Sequence, residues 1–506
     1  MAVVNNKQIA RNTLFLYIRM LLILAVSLYT SRVILKTLGV EDYGIYNLVA
    51  GFVTLFTFIS NALVSAIQRF LNVALGENDL DRFADIFSMS ITVMLLTSIL
   101  ILVLGETIGL WFVETQLNIP ESRKTASIWV YQLSLLTFII NIIRSPYNAA
   151  IIAYERMSFY AYVSIVEVLL RLGLVFSLII IPYDKLIAYT LLYLLVMVLV
   201  FLAYVFFCKK SFSGCDYHFK KDKSLFKEIV SFSGWSLLGQ SAVVAAGQGD
   251  SFFVNRFFSV TSNAAMGVSA QLTGAIETFI TNFQVAFNPQ LIKTHTNEDK
   301  TEHRKLLFRA SKFSFYLQLI LSLPVLFNID TILDIWLEEV PDYSNLFCTF
   351  ILCSYLIAAM SVPLKTSIYA GGHIKRYEIS RAIVFALGLL GSYIVLKRGN
   401  PPYFVAVVGV VVQLFLLSVR VHFAKCESGI KVMDFLGSVV VPCVLVATLS
   451  LIVPLATSCY SSSFWALFVV ILIDVFYIGV IVWFVGLSKN ERSTIYKIIQ
   501  KKITKA

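Results

Sequence analysis

The sequence predicts an all-α polytopic membrane protein of about fourteen transmembrane helices, in two parallel six-helix lobes plus two C-terminal helices. Three observations predict it. The 506 residues are 58% hydrophobic and 14% charged, whereas soluble domains sit near ~45–50% apolar and ~25% charged. Apolar runs near the ~20 residues that cross a hydrocarbon core as a helix recur from Asn12 almost to the C-terminus. Finally, a set of anchor residues recurs in the same order in two halves of the chain.

The spans fall at about 12–35, 43–67, 86–112, 126–154, 159–181 and 186–208 in the first half. The second half continues with 229–258, 263–291, 306–337, 345–370, 379–396 and 403–423, and 435–457 and 464–487 close the chain. The first run follows Lys7 and Arg11 and outlasts the ~7–15 residues of a cleavable signal core, so it stays as the first transmembrane helix. With the N-terminus inside, the inner loops hold most of the Lys and Arg, among them Lys209, Lys210, Lys220, Lys221, Lys223 and Lys227. Both termini are therefore expected on the cytoplasmic side. The tail, with Lys497, Lys501, Lys502 and Lys505 spaced among Ile495, Ile498, Ile499 and Ile503, reads either as an amphipathic helix on anionic lipid or as a solvated basic tail.

The internal repeat orders these spans. Gly44–Gly51 pairs with Gly267–Gly274, Trp111 and Pro120 with Trp336 and Pro341, and Pro146, Ala153 and Tyr160 with Pro363, Ala370 and Tyr377. Each anchor sits at the same depth of the same helix in its half, and six helices per half make the repeats parallel, about an axis along the membrane normal. The domains expected are a six-helix lobe at 1–208, a basic cytoplasmic linker at 209–227, a second lobe at 228–424, and two helices with a tail at 425–506.

Several functions are excluded or unsupported. The +11 formal charge is accounted for by cytoplasmic loops, and there is no polar domain to carry a nucleic-acid-binding patch. Seven cysteines and five histidines show no metal-ligand spacing, so no metal and no cofactor is expected. No loop is long enough to fold as a catalytic domain. There is no phosphate-binding loop, H-E-x-x-H or G-x-S-x-G, so the chain is not expected to be an enzyme. Work must then draw on an existing gradient, with H+ or Na+ as the coupling ion.

Ionisable residues inside spans are costly and usually face a cavity. The candidates for anion binding are Arg19, Arg32, Arg144, Arg171, Arg256 and Lys365, a surplus of cations suited to phosphate because guanidinium grips it in a bidentate fork. Glu167 lies one turn before Arg171, and the two can neutralise each other on one face. Arg144, Arg32 and Arg256 have no opposite charge at helical spacing. Asp250, Glu277 and Glu167 are the candidates for ion coupling. Asp250 sits in a glycine-containing stretch that reads as a kink or unwound segment, or else as a salt bridge to an arginine of another helix. Pro146 and Pro363, placed symmetrically, are candidate hinges. Lys312, Arg381 and Arg420, near inner helix ends, are expected to snorkel to the interface.

The run Ser31-Arg32-Val-Ile-Leu-Lys-Thr-Leu-Gly39-Val-Glu-Asp-Tyr43-Gly44-Ile-Tyr46, followed by Ala66-Ile-Gln68-Arg69-Phe70, resembles the N-terminal signature of Wzx-type polysaccharide exporters. These belong to the multidrug/oligosaccharidyl-lipid/polysaccharide exporter superfamily. Pro363 to Tyr377, with Ala370-Gly371-Gly-His-Ile-Lys375, resembles the matching turn after the tenth helix. The resemblance implies two six-helix lobes around a cationic chamber, in the inner membrane of a bacterium. It also implies a flippase for undecaprenyl-diphosphate-linked oligosaccharide, such as a lipopolysaccharide O-antigen precursor, working by ion-coupled alternating access. Implied partners are that lipid-linked oligosaccharide, membrane lipids and the glycosyltransferase or polymerase machinery. The alternatives are a drug or lipid II exporter of the same fold and a membrane-embedded glycosyltransferase or polymerase.

Overall fold

The computed structural model describes residues 6–54, 57–115, 119–178, 180–258, 260–295, 300–337, 340–457, 463–489 and 491–493. The basic tail from residue 494 onward lies outside them, as does the side chain of Arg32. The described chain is all helix and turn. Eleven of its helical segments are long and apolar enough to cross a membrane. The remaining expected spans, 12–35, 43–67 and 263–291, also fall on helices.

Contacts divide the chain into two compact units, residues 8–237 and residues 238–506 with 1–7. The first unit contains α1 (Asn6–Thr54), α2 (Thr57–Gly76), α3 (Leu80–Leu104), α4 (Leu110–Thr115), α5 (Lys124–Ala153), α6 (Met157–Ser177) and α7 (Lys185–Ser211). The division falls inside α8 (Lys223–Phe257), after Leu237. The first expected span and the start of the second share α1, with a turn where the sequence places their joint, and the rest of the second lies on α2. Gly39 (φ 84°, ψ 167°) redirects the helix there, a conformation open to glycine and strained for other residues. Helix starts follow side-chain caps. Asp79 accepts the Arg82 N–H at 2.9 Å, and Asp184 accepts those of Leu186 and Ile187 at 3.0 and 3.2 Å. The segment after α7 folds back on this unit: the Phe212 ring stacks on Tyr154 at 4.2 Å and Lys220 pairs with Asp85.

The second unit holds α9 (Val260–His295), α10 (Lys300–Phe327), α11 (Ile329–Trp336), α12 (Ser344–Gly371), α13 (Lys375–Lys397) and α14 (Phe404–Ser428). It also holds α15 (Val432–Phe435), α16 (Val441–Ser450), α17 (Ile452–Thr457) and α18 (Phe464–Ile481). The repeat anchors fall on corresponding elements. Trp111 lies in the first turn of α4 and Trp336 ends α11, Pro146 and Pro363 lie inside α5 and α12, and Tyr160 and Tyr377 open α6 and α13. Among the described residues, π-bulges interrupt the long helices at Gly105–Gly109, Leu436–Val440 and Val482–Gly486. Neighbouring tyrosines bind two of them: Tyr131 Oη donates to the Gly105 carbonyl at 2.7 Å and Tyr316 Oη to that of Gly486 at 3.0 Å.

Lys312 does not snorkel. It is buried on α10 and pairs at 2.8 Å with Glu491, which follows the last helix and also accepts the Ser488 N–H at 2.8 Å. Burial pushes the Glu491 carboxyl up, but the hydrogen bonds from Lys312 and Ser488 outweigh it and hold the group below the usual glutamate range. A depressed carboxylate contributes stability that is present above its unfolded pKa and is lost as pH falls through the folded one. Glu491→Gln should therefore loosen the chain after α18 at neutral pH, at a local cost on the order of 3 kcal/mol for stranding the buried ammonium. Amide protection factors, which remove the intrinsic pH dependence of exchange, should fall at 487–489 and 491–493 to match those of wild type at a pH below the carboxylate range.

Candidate functional site

The first unit carries a cavity of about 240 Å³ among α1, α5, α6 and α7, lined by Arg19, Arg144, Glu167, Arg171, Tyr160 and Tyr204 with small polar neighbours. Three cations from three helices face one carboxylate. Arg144 Nη1 donates to Glu167 Oε2 at 3.4 Å, and Arg171 Nη2 pairs with Glu167 Oε1 one turn away on α6. Glu167 thus supplies the counter-charge that Arg144 lacks on its own helix, and divides it with Arg171. Each guanidinium rests on an aromatic face: Arg19 on Tyr160 at 4.4 Å, Arg144 on Tyr204 at 5.2 Å and Arg171 on Tyr193 at 4.7 Å. Such stacking orients the forks while leaving their N–H edges available. The Nε–H groups of Arg19 and Arg171 are buried and make no hydrogen bond. Three guanidinium groups against one carboxylate leave two positive charges over, so the cavity is chemically an anion site.

The second unit places the two other candidate acids at cavities that meet at Tyr355 of α12. Asp250 lines one of about 280 Å³ with Ser392, Gln413, Tyr355 and mainly apolar side chains. Glu277 lines one of about 40 Å³ with Thr281, Gln284, Gln318 and Tyr355. Asp250 makes no ion pair among the described residues, and its Oδ1 is buried without a hydrogen-bond partner. The expected unwinding around it is absent, since α8 is helical from Lys223 to Phe257. The run of small residues instead gives neighbouring side chains close approach: a Cβ on Gly249 would lie 2.5 Å from Leu389 Cδ1. Arg256 stands apart, exposed in the last turn of α8.

Lys365 belongs to a different group, on α12, α13 and α14. Glu378 is fully buried there, accepting from Arg381 at 3.1 Å and from the Tyr369 hydroxyl at 2.5 Å. Arg420 donates to Tyr377 Oη at 3.3 Å and to Ser361 Oγ. Arg381 and Arg420 are 5% and 6% exposed, so neither snorkels as expected. Their partners come from neighbouring helices or the next turn, which position along a helix does not reveal.

Known proteins compare with this chain as follows. The polysaccharide biosynthesis protein family matches residues 9–295, which take in the first unit from its second residue on and every residue of the arginine cavity. The chain belongs to this family. A relative in Bacillus subtilis (strain 168), the uncharacterized membrane protein EpsK, is 24% identical over 354 residues, 68% of either chain. Among solved structures, a MATE point mutant superposes with a TM-score of 0.71 at 13% identity, covering 83% of this chain and 96% of its own. A transporter of the MOP superfamily from Pyrococcus furiosus gives 0.69 at 12% identity, over 83% and 95%. The MATE transporter ClbM in complex with Rb+ gives 0.65 at 17% identity, over 81% and 93%. At these identities the likeness establishes the fold: this member of the polysaccharide biosynthesis protein family is an all-α membrane protein built like the MATE transporters.

For the family member at hand, the site residues that sequence reasoning missed are Glu378, Arg381 and Arg420, with Tyr160 and Tyr204 as arginine platforms. Glu378 and Arg381 at i,i+3 were a readable signal. Gly239 on α8 makes room for them, because a Cβ there would collide with the Glu378 carboxylate. That carboxylate is held from two sides and cannot swing away. Gly239→Ala should therefore destabilise the protein by about 1–3 kcal/mol, as overpacking does, read as a lower unfolding temperature in detergent. Gly234→Ala, in open space, should not.

Proposed function

We propose that this chain is a flippase that moves an undecaprenyl-diphosphate-linked oligosaccharide across the bacterial inner membrane by ion-coupled alternating access. The observation that carries the proposal is the arginine cavity of the first unit. A diphosphate diester, with one negative charge on each phosphate, balances the two positive charges left over there, and the aromatic-backed forks suit phosphate oxygens. Membership of a polysaccharide biosynthesis family makes a glycan carrier the natural owner of that diphosphate.

Coupling falls to the acids. Asp250, beside an apolar cavity with an unpartnered oxygen, suits reversible uptake of H+ or Na+, and Glu277 and Glu167 are the further candidates. Pro146 and Pro363, buried inside α5 and α12, are the candidate hinges. In this reading both termini and residues 209–227 face the cytoplasm, where glycosyltransferases build the substrate, and the polymerase takes it on the other side. A periplasm-dependent phosphatase fused within 209–227 should be inactive, and one fused after residue 340 active; the reverse pattern would overturn the orientation.

The deciding experiment places the purified protein and a lipid-linked oligosaccharide in vesicles and follows access of a glycan-binding lectin to each leaflet. Flipping that requires the protein and accelerates with an imposed H+ or Na+ gradient is the expected result. Equal rates with and without the protein would overturn the proposal.

A further inference from the structure

The buried group around Glu378 has more positive charge than its own residues balance. Both carboxylate oxygens of Glu378 are occupied, one by Arg381 and one by Tyr369. Arg420 meets only neutral oxygens, those of Tyr377 and Ser361. Lys365 lies 5.0 Å over the Tyr369 ring, and neither it nor Arg420 has an ion pair among the described residues. The Arg381 Nε–H is buried without a hydrogen-bond partner. Three cations against one carboxylate again leave two positive charges over, on helices that cross the membrane, where an uncompensated charge is expensive.

The arrangement also follows the internal repeat. Pro146 and Tyr160 in the first unit correspond to Pro363 and Tyr377 in the second. Each of these tyrosines carries an arginine, Arg19 stacked on Tyr160 and Arg420 hydrogen-bonded to Tyr377. Each unit thus holds three cations, one carboxylate and a repeated tyrosine; two cations, the carboxylate and the tyrosine lie on corresponding helices, α5 and α6 against α12 and α13, while the third cation comes from α1 in the first unit and α14 in the second.

We infer that Lys365, Arg381 and Arg420 form a second anion-binding site, in the second unit, which takes a phosphate group and in which Glu378 is the resident counter-ion. Arg381 and Arg420 present N–H edges on planar forks, and Lys365 adds a mobile point charge. Lys365 is the member of the group that is partly exposed, so it is where a ligand first arrives. A phosphate-bearing solute and the headgroup of an anionic lipid offer the same chemistry. The inference does not depend on what the first unit binds.

The test uses the full-length protein in nanodiscs of phosphatidylcholine, titrated with inorganic pyrophosphate. Arg144→Gln with Arg171→Gln removes the first-unit cavity as a binding site, and one binding event should remain. Adding Lys365→Gln should weaken that event by about 10- to 100-fold, the worth of a charge-assisted contact. Glu378→Gln should strengthen it, because the competing carboxylate is gone. Lys365 has no carboxylate partner to strand, so Lys365→Gln is the variant that folds if Glu378→Gln does not. If wild type binds pyrophosphate and the Arg144/Arg171 variant binds none, or if Lys365→Gln leaves the remaining event unchanged, the second site is overturned and the first-unit reading stands. If binding ignores Arg144 and Arg171 but is lost with Lys365→Gln, the first-unit reading fails and the second site stands. In nanodiscs containing phosphatidylglycerol, native mass spectrometry should show one retained anionic lipid lost in Lys365→Gln if the headgroup is the ligand. Retention that ignores Lys365, with no pyrophosphate bound, would overturn the site for both sources.

Discussion

Arg144→Gln combined with Arg171→Gln should lower the rate of lipid-linked oligosaccharide flipping by at least about 100-fold. A hydrogen bond to a charged group is worth about 1.5–3 kcal/mol, so losing two costs about 3–6 kcal/mol, at about 1.4 kcal/mol per factor of ten. The double change also strands Glu167, whose two ion-pair partners are these arginines. A fall in abundance from that half-buried carboxylate would mimic lost transport. Adding Glu167→Gln removes the stranded charge, and should restore abundance without restoring flipping. Arg144→Lys and Arg171→Lys keep the charge and lose the fork, and should fall between the extremes if geometry matters as well as charge. Flipping at the wild-type rate in the triple variant, at normal abundance, would remove the cavity from the transport path.

The second large effect is expected at Asp250. Asp250→Asn removes a charge at nearly constant shape, in a cavity where the carboxylate has an unpartnered buried oxygen and no arginine. One elementary charge moved through ~100 mV supplies ~2.3 kcal/mol, about a 50-fold difference in accumulation between leaflets. If Asp250 carries that charge, the asparagine variant should still equilibrate substrate between leaflets while losing the ~50-fold accumulation per 100 mV. Glu277→Gln is the discriminating partner, because Tyr355 lines both its cavity and that of Asp250. Loss of accumulation in Glu277→Gln alone would move the coupling role to that acid. Unchanged accumulation in both single variants and in the double would exclude the pair.

The spans were legible because hydrocarbon thickness imposes a length and a composition on every crossing helix, and those are properties of sequence alone. The repeat was legible because Pro146 and Pro363, Tyr160 and Tyr377, and Trp111 and Trp336 keep their places in matching helices. Depth and charge also singled out Arg19, Arg144, Glu167 and Arg171, which the fold gathers at one cavity. Which helices face each other was not legible, and the errors follow from that. Lys312 and Arg420 lie near helix ends, where snorkelling and an interhelical contact look identical in one dimension. Glu491 and Ser361, far away in sequence, decide between them. Asp474 went unremarked in its apolar run, although it is fully buried on α18 with Thr457 as partner at 2.9 Å. Tyr160 and Tyr204 were hidden by abundance: with aromatics at 14% of the chain, no pattern separates a platform for arginine from a lipid-facing ring.

The π-bulge at Gly105–Gly109 is geometrically a single surplus residue within an otherwise α-helical stretch. Wound without the bulge, the same residues would make an ordinary helix in which everything beyond is turned by about 100° and advanced by about 1.5 Å. Trp111, exposed where α4 begins, would swing off its present face, and Glu106 would leave Gln132, its partner at 3.0 Å. The Tyr131 hydroxyl binds the Gly105 carbonyl at the bulge itself, so it reads whether the surplus residue is there. The azimuth of the helix tip is thereby set by a count of residues and checked by one phenol, independently of the apolar packing that sets its depth.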